Sequence, residues 1–298
     1  MACSIEKGSD TVFKRVYVEI TNVCNLACSF CPGTQRPHRF MKAEEFEVLT
    51  RRLQGHTRYL YLHVLGEPLL HPQLREILDI AHEAGFHVCI TTNGTLLPRQ
   101  LPLLQEAPAL HKLSVSLHSF EGNGAAGDLE NYIRSCAAAC QPLSRKGVIC
   151  ALRLWNEGGL EEKNGEILAL LGQALGVDMA ALTPDNKGNL RLGDHLYLEN
   201  AAKFDWPDLN APAGGVEFCH GLRQQIAVLC DGTVVPCCLD GEGQIPLGNL
   251  FHETLPDIVA SPRAQAMLDG FSRRQPSEEL CRRCGYARRF SKGGGGNR

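Results

Sequence analysis

The sequence contains no apolar run approaching the roughly 20 residues of a membrane-spanning helix. Its start, Met1-Ala2-Cys3-Ser4-Ile5-Glu6-Lys7, lacks the apolar centre of a secretory leader. The formal net charge of −3 leaves no basic excess of the kind that nucleic-acid binding by the whole chain requires. These absences exclude a membrane protein and a general nucleic-acid binder, and they set the expectation of a cytoplasmic chain. Apolar residues at 44% and charged residues at 21% suit an ordinary globular protein. Cysteine is what the chain has in abundance, 14 in 298 residues. With no export signal, that many thiols point to a reducing compartment and to metal, not to a disulfide framework.

Three of them form Cys24-x3-Cys28-x2-Cys31, directly after a short apolar strand. Thiolates are the usual holders of iron–sulfur clusters, and three at this spacing would hold three irons of a cubane and leave the fourth open. A structural zinc site, with His38 as the fourth ligand, is the competing reading. The loop Thr21-Asn22-Val23-Cys24-Asn25-Leu26-Ala27-Cys28-Ser29-Phe30-Cys31 carries an aromatic residue, Phe30, before its last cysteine. It resembles the signature of the radical S-adenosylmethionine (radical SAM) superfamily. That resemblance implies a [4Fe–4S] cluster whose open iron is chelated by S-adenosylmethionine, and reductive cleavage to a 5′-deoxyadenosyl radical.

Through the first two-thirds of the chain, β-branched apolar runs alternate with amphipathic stretches. Strands are expected at 15–21, 59–65, 87–92, 112–117, 148–154 and 178–182. Helices are expected at 43–54, 72–84, 98–106, 129–146 and 161–175, with Phe46, Leu49 and Leu53 at helical spacing in the first. Gly85, Gly147 and Gly176 follow three of these helices, where a left-handed cap is expected. Repeated strand–helix alternation predicts an α/β fold with a parallel sheet and right-handed crossovers. Six units are too few for a closed eight-fold barrel, so the expectation is a partial (β/α)6 TIM-like barrel, which is also the fold of the radical SAM core. The expected organisation is a lead-in at 1–14, the barrel at 15–200, a small unit of β-hairpin plus helix at 201–290, and a glycine-rich tail at 291–298. The basic, acid-free stretch from Arg282 onward reads as mobile and solvated.

Chemistry in such barrels sits at the carboxyl ends of the strands. Gly66-Glu67-Pro68 ends the second strand and is similar to the family's Gly-Gly-Glu motif, with Leu65 in place of the first glycine. The resemblance implies that it receives the amino group of S-adenosylmethionine. Asn93, in Thr92-Asn93-Gly94, reads either as a helix-capping turn or as part of the same site. Ser116 matches the place of a serine that binds the S-adenosylmethionine carboxylate in relatives. Arg153 lies between leucines on the fifth strand and needs a carboxylate partner, because an unpaired charge inside a barrel is costly. That partner is S-adenosylmethionine, the substrate or an ordinary salt bridge. His118 is the candidate proton-transfer residue, since histidine titrates near neutrality.

The last 80 residues concentrate six further cysteines: Cys219, Cys230, Cys237, Cys238, Cys281 and Cys284. Asp231-Gly232 is a two-residue hairpin signal, and that turn would pair Cys230 with Thr233 and Ile226 with Cys237. Cys230 would then lie about 14 Å along the ladder from Cys237, and Cys238 would face the other side. Cys219, Cys237, Cys281 and Cys284 are therefore the expected four-thiolate site, with Cys238 as the alternative to Cys237 and zinc as the alternative to iron–sulfur. The segment resembles the SPASM and twitch extensions of radical SAM enzymes, which implies one auxiliary [4Fe–4S] cluster. The 2-deoxy-scyllo-inosamine dehydrogenase type has that arrangement. Cys3, Cys89, Cys136, Cys140 and Cys150 read as small buried apolar residues.

The combined expectation is a radical SAM oxidoreductase with two clusters, one binding S-adenosylmethionine and one assisting a dehydrogenase-like oxidation. Its partners would be a small-molecule or peptide substrate and an electron donor such as flavodoxin or ferredoxin. With the first strand starting near Arg15, no room is left before the barrel for a peptide-recognition domain, which tilts the expectation toward a small molecule or a peptide delivered by a separate partner. A ribosomal-peptide or protein maturase is the alternative, and a non-catalytic zinc-binding module is the reading from another class.

Overall fold

The computed structural model describes residues 13–290. Cys3, the lead-in up to residue 12 and the glycine-rich tail at 291–298 lie outside the described residues.

The alternation of apolar strands and amphipathic helices produces the expected partial barrel. Five strands, β1 (Arg15–Val18), β2 (Tyr59–Tyr61), β3 (His87–Thr92), β4 (Leu110–Ser116) and β5 (Ile149–Glu157), pair in parallel in sequence order. The helices between them are α1 (Ala43–Leu53), α2 (Leu74–Glu83), α3 (Leu97–Gln105), a short α4 (Ser119–Gly122) and α5 (Leu129–Arg145), with α6 (Asn164–Leu175) after β5. Gly85, Gly147 and Gly176 all take positive φ beyond the ends of their helices.

Side chains alternate between the two faces of each strand, and here the faces differ in chemistry. Val16, Val18, Leu60, Ile90, Leu113, Val115, Leu152 and Leu154 join Phe46, Leu49, Ile77, Leu78, Ile133 and Leu143 of the helices in one apolar core. The other face carries Tyr17, Tyr61, His63, Lys112, Arg153 and Trp155, which contact one another or Glu199. This polar, aromatic face lines the concave interior.

The sixth parallel strand is not at 178–182. Asp178 accepts a hydrogen bond from the Ala180 amide at 3.0 Å and starts a 3-10 turn, Met179–Ala181. The chain then makes an antiparallel hairpin of β6 (Leu190–Gly193) and β7 (Leu196–Ala202), and β7 pairs in parallel with β5. The polar residues of β7 disguise it in the sequence, because Glu199 faces the charged interior while Leu196 and Leu198 are buried. The second strand is also shorter than expected. The His63 amide turns back to the Tyr61 carbonyl at 2.8 Å, so the ladder stops at Tyr61.

The C-terminal segment extends the same sheet. Strand β8 (Gln225–Val228) lies parallel to β1 with Arg15 opposite Gln225 and Val18 opposite Val228, and β9 (Thr233–Val235) and β10 (Gly248–Asn249) follow antiparallel. The final order is β10-β9-β8-β1-β2-β3-β4-β5-β7-β6. The hairpin register differs by one residue from expectation: Val228 faces Val234, and the Leu229 amide donates to the Thr233 carbonyl at 2.8 Å. Cys230, Asp231 and Gly232 form a three-residue connection, with Gly232 at φ 85° in the left-handed position such a loop requires. Cys230 cannot pair with Thr233 because its amide is taken by Glu19 Oε2 at 3.1 Å.

The basic stretch after Arg282 is ordered through Phe290, contrary to expectation. Cys284 and Ala287 are buried, and Tyr286 stacks edge-on with Phe204 and Phe290. Its aromatic and small residues anchor it while the arginines reach solvent. Among the described residues no helix is long and apolar enough to cross a membrane.

Candidate active site and cysteine centres

The first cysteine loop leaves β1 at the carboxyl end of the strands. Its base is closed by side chain–backbone bonds: Thr21 Oγ1 to the Arg39 carbonyl at 2.9 Å, Asn22 Nδ2 to the Pro37 carbonyl at 3.0 Å, and the Arg39 amide to Asn22 Oδ1 at 2.8 Å. Its tip leans on α4, with the Ser29 amide on the Gly122 carbonyl at 2.7 Å and the Ala27 amide on Asn123 Oδ1 at 3.1 Å. Cys24 and Cys31 are exposed and Cys28 is half-buried. The three are near enough to repel one another as thiolates. Burial and then Cys24 and Cys31 push the Cys28 thiol up to about 11, and burial raises that of Cys24. A bound cation offsets such repulsion, since a coordinating thiol is deprotonated outright. His38, on the return arm, is exposed.

Phe30 packs on α4. Its ring lies 4.9 Å from that of His118, and a Cβ on Gly122 would stand 2.4 Å from Phe30 Cε1, so only glycine admits the ring there. Trp206 Nε1 holds the Phe30 carbonyl at 2.9 Å from the C-terminal side.

Gly66-Glu67-Pro68 sits against this loop. Gly66 has φ 75°, and a Cβ would stand 2.4 Å from the Thr21 carbonyl oxygen, so the close approach excludes any side chain. The Glu67 amide donates to the Val23 carbonyl at 2.8 Å. The Glu67 carboxylate is buried and accepts from the Leu69 amide at 3.0 Å and the Asn93 amide at 2.8 Å. Burial raises its pKa against the pull of those amides. Pro68 begins the 3-10 turn that Glu67 caps. Asn93 reaches from the end of β3 to Asn25 Oδ1 at 2.9 Å and toward Cys24 Sγ at 4.0 Å, so Asn93 and the cysteine loop come together. Ser116 ends β4, opposite Arg153 on β5.

Arg153 has its carboxylate inside the protein. Its Nε meets Glu199 Oε2 at 3.2 Å, and Lys112 Nζ meets the other oxygen at 2.6 Å. The guanidinium also lies 4.3 Å over the Trp155 ring. Of the three expected partners the observed one is the ordinary salt bridge, from a strand the sequence did not reveal. Burial works against the Glu199 carboxylate, but Arg153 and Lys112 outweigh it and hold its pKa below the usual range. His118 is buried at the start of α4. Its Nδ1 lies 3.2 Å from the Arg153 carbonyl, and burial lowers its pKa, which keeps the ring neutral near pH 7.

The second centre gathers residues from three distant segments. Cys237 has Cys238 and then Cys219 and Cys281 as electrostatic neighbours, Cys281 has Cys219 and Cys284, and Cys238 also feels Cys219. Burial pushes all four thiols up; neighbouring cysteines add to the rise at Cys237, Cys281 and Cys284, while backbone amides pull Cys219 and Cys284 part of the way back. Cys237 and Cys238 lie in a turn past β9, so strand alternation does not govern them. Cys238 instead turns to Tyr17, its thiol hydrogen-bonded to the phenol. Cys230 stays apart, its thiol pushed to about 12 by burial and Glu19. Cys89, Cys136, Cys140 and Cys150 are buried. Among the described residues no group of three or more His, Cys, Asp or Glu is arranged to hold a single metal ion.

A family model described as the Radical SAM superfamily matches residues 18–162. The chain belongs to the radical SAM superfamily. Its radical SAM core is followed by a match at 219–285 to SPASM, an iron–sulfur cluster-binding domain. Among curated proteins, the GTP 3',8-cyclase of Chlorobaculum tepidum is 37% identical over 110 residues, 36% of this chain and 33% of that one. The chain thus spans about a third of the length of the first curated relatives it matches. Among solved structures, BtrN in complex with AdoMet and 2-DOIA aligns with a TM-score of 0.58 at 19% identity over 93% of this chain and 94% of that one. Streptococcus suis SuiB bound to precursor peptide SuiA aligns at 0.62 and 16% identity over 93% and 71%. These likenesses establish the radical SAM/SPASM fold.

The residues that sequence reading missed are Glu19, Tyr17, His63, Glu199 and Gly122. Glu19 and Tyr17 stood in plain view as polar positions within an apolar strand. Glu199 and Gly122 acquire meaning only through partners distant in sequence.

Proposed function

We propose that this chain is a radical SAM maturase of a ribosomal peptide or protein. The observation that carries the radical SAM part is the meeting of three mutually close, accessible thiols on one loop with Gly66-Glu67-Pro68 and Asn93 at the barrel mouth. Cys24, Cys28 and Cys31 would hold the first [4Fe–4S] cluster. Cys219, Cys237, Cys281 and Cys284 would hold the auxiliary one, in a unit taken as 201–290 beside a barrel at 15–200. With S-adenosylmethionine bound, the first site would supply a 5′-deoxyadenosyl radical for hydrogen abstraction.

The protein's own part is to bind, orient and exclude water. Gly66 gives close backbone access, Ser116 and Asn93 offer polar contacts, and Phe30 and His118 wall one side with neutral rings. Because His118 is held neutral, its role is a contact or a proton acceptor, not a cationic acid. Arg153, already paired with Glu199, acts through that pair on the interior wall. The first centre follows the carboxyl end of β1, while Cys238, next to Cys237 of the second centre, meets Tyr17 within β1, so a substrate in the interior would lie near both. The auxiliary site is assigned electron transfer, with flavodoxin or ferredoxin as external donor and the cytoplasm as compartment.

The fold match to SuiB with its peptide and the exposed Cys24, Phe30 and Cys31 at the mouth support a peptide substrate, because a long chain can present one residue there. The second reading is dehydrogenation of a small polyol, favoured by alignment over nearly the whole of BtrN. The test is anaerobic incubation with S-adenosylmethionine and dithionite, offering peptide libraries and aminocyclitols separately. The proposal expects peptide-dependent 5′-deoxyadenosine and a peptide mass change. Release that depends on the aminocyclitols alone would replace it with the second reading.

A further inference from the structure

The Glu19 carboxylate belongs to neither cysteine centre, yet it is fully buried just beyond the last paired residue of β1. Its Oε1 accepts from Arg36 Nη2 at 2.7 Å and from the Leu65 amide at 3.4 Å, and its Oε2 accepts from the Cys230 amide at 3.1 Å. The three donors come from three different segments. Arg36 is on the return arm of the Cys24–Cys31 loop, Leu65 immediately precedes Gly66, and Cys230 is the first residue of the C-terminal hairpin turn. Arg36 strengthens the junction by directing Nη1 to Cys230 Sγ at 3.7 Å, and the Gln35 amide beside it donates to Glu242 at 3.2 Å.

We propose that Glu19 is a positioning residue that locks the first cysteine loop, the Gly66 turn and the C-terminal hairpin into one arrangement, and so sets the geometry in which the first centre receives S-adenosylmethionine. The proposal rests on the reading of Cys24, Cys28 and Cys31 as the S-adenosylmethionine site. The chemistry favours a carboxylate here over an amide. All three partners are donors, and a carboxylate offers acceptors only, whereas the amide of glutamine must turn one donor toward another. Arg36 brings a charge into a largely buried place and needs a counter-charge beside it. The same junction explains why the hairpin register slips at Cys230, since its amide bonds Glu19 in place of the ladder.

The distinction from simple stability comes from removing the charge pair together. Glu19→Ala alone strands the Arg36 charge, so it is expected to lower the melting temperature and the iron content. Glu19→Leu with Arg36→Met removes both charges, and replacing a buried pair with apolar residues is often neutral. This double variant is expected to recover the melting temperature, yet to bind S-adenosylmethionine about 10- to 100-fold more weakly, the scale seen when outer-shell partners of metal sites are lost. Binding is read from the change that S-adenosylmethionine causes in the electron paramagnetic resonance spectrum of the reduced, anaerobically reconstituted protein. Glu19→Gln, nearly isosteric, guards against misfolding and is expected to shift the same titration in the same direction. Wild-type affinity in Glu19→Gln, or in a double variant with restored melting temperature, would overturn the proposal. If the wild-type protein holds a cluster that does not respond to S-adenosylmethionine at all, the reading of the first centre fails, and the proposal fails with it.

Discussion

The two cysteine centres are built in opposite ways. The first takes three cysteines from one loop within eight residues, leaves Cys24 and Cys31 exposed, and is braced by backbone bonds at its base and tip. The second draws Cys219, Cys237 and the Cys281/Cys284 pair from three segments; its thiols crowd one another, Cys284 is buried and the other three are half-buried. An exposed, self-contained loop suits a place where a small molecule must reach metal. A more enclosed junction of distant segments suits a place where metal also ties the chain together.

That contrast predicts unequal costs. Replacing Cys281 and Cys284 with serine should lower stability by about 3 kcal/mol or more, because a metal-linked closure of three segments is lost. Alanine at Cys24, Cys28 and Cys31 should change it by less than about 1 kcal/mol in the same thermal melt. Equal losses would erase the distinction. Next in size is Glu199→Gln, which leaves Lys112 and Arg153 facing each other without a carboxylate. Both are partly shielded, so the expected loss is about 2 to 3 kcal/mol by urea denaturation, reduced when Lys112→Met is added. No loss would mean that the interior is wetter than the packing implies. Gly122→Ala should cost about 1 to 2 kcal/mol by overpacking against Phe30, and it should weaken S-adenosylmethionine binding at the first centre without altering the iron of the second.

The smallest effect concerns pH. His63 lies in the interior with its Nδ1 buried and unbonded, and burial together with Arg153 lowers its pKa to about 3. The folded state therefore binds its proton less readily than the unfolded chain, whose histidine titrates near 6.5. The unfolded state gains protons first as pH falls, so the stability contributed by neutral His63 is present above about pH 6.5 and is lost progressively toward pH 3. From pH 7 to 5.5 the loss should be about 1 kcal/mol. His63→Asn should flatten that part of the stability profile; an unchanged slope would assign the acid sensitivity to other groups.

Local features were legible in the sequence. The helices and the first five strands follow from periodicity, and the first cysteine loop follows from spacing. What escaped depends on long-range partners. Asp178 caps a turn where an apolar run suggested a strand. The real sixth strand hides its pattern because Glu199 points to Arg153 and Lys112. The hairpin slips by one residue because Glu19, 211 residues away in sequence, takes the Cys230 amide. Arg153 announced a need for a carboxylate, but only the fold could supply Glu199. Cys219, Cys237, Cys281 and Cys284 were read from the sequence as one set, and the face argument that chose Cys237 over Cys238 rested on a strand that ends at Val235.

We propose two separate iron–sulfur centres on one sheet, the first reactive and the second assigned to electron transfer. The direct test is iron and acid-labile sulfide per chain in anaerobically reconstituted protein, wild type beside the Cys24→Ala/Cys28→Ala/Cys31→Ala variant. The account predicts about eight irons and eight sulfides falling to about four of each, with the remaining cluster signal indifferent to S-adenosylmethionine. Zinc without sulfide in the wild type, or loss of all iron in the variant, would contradict it.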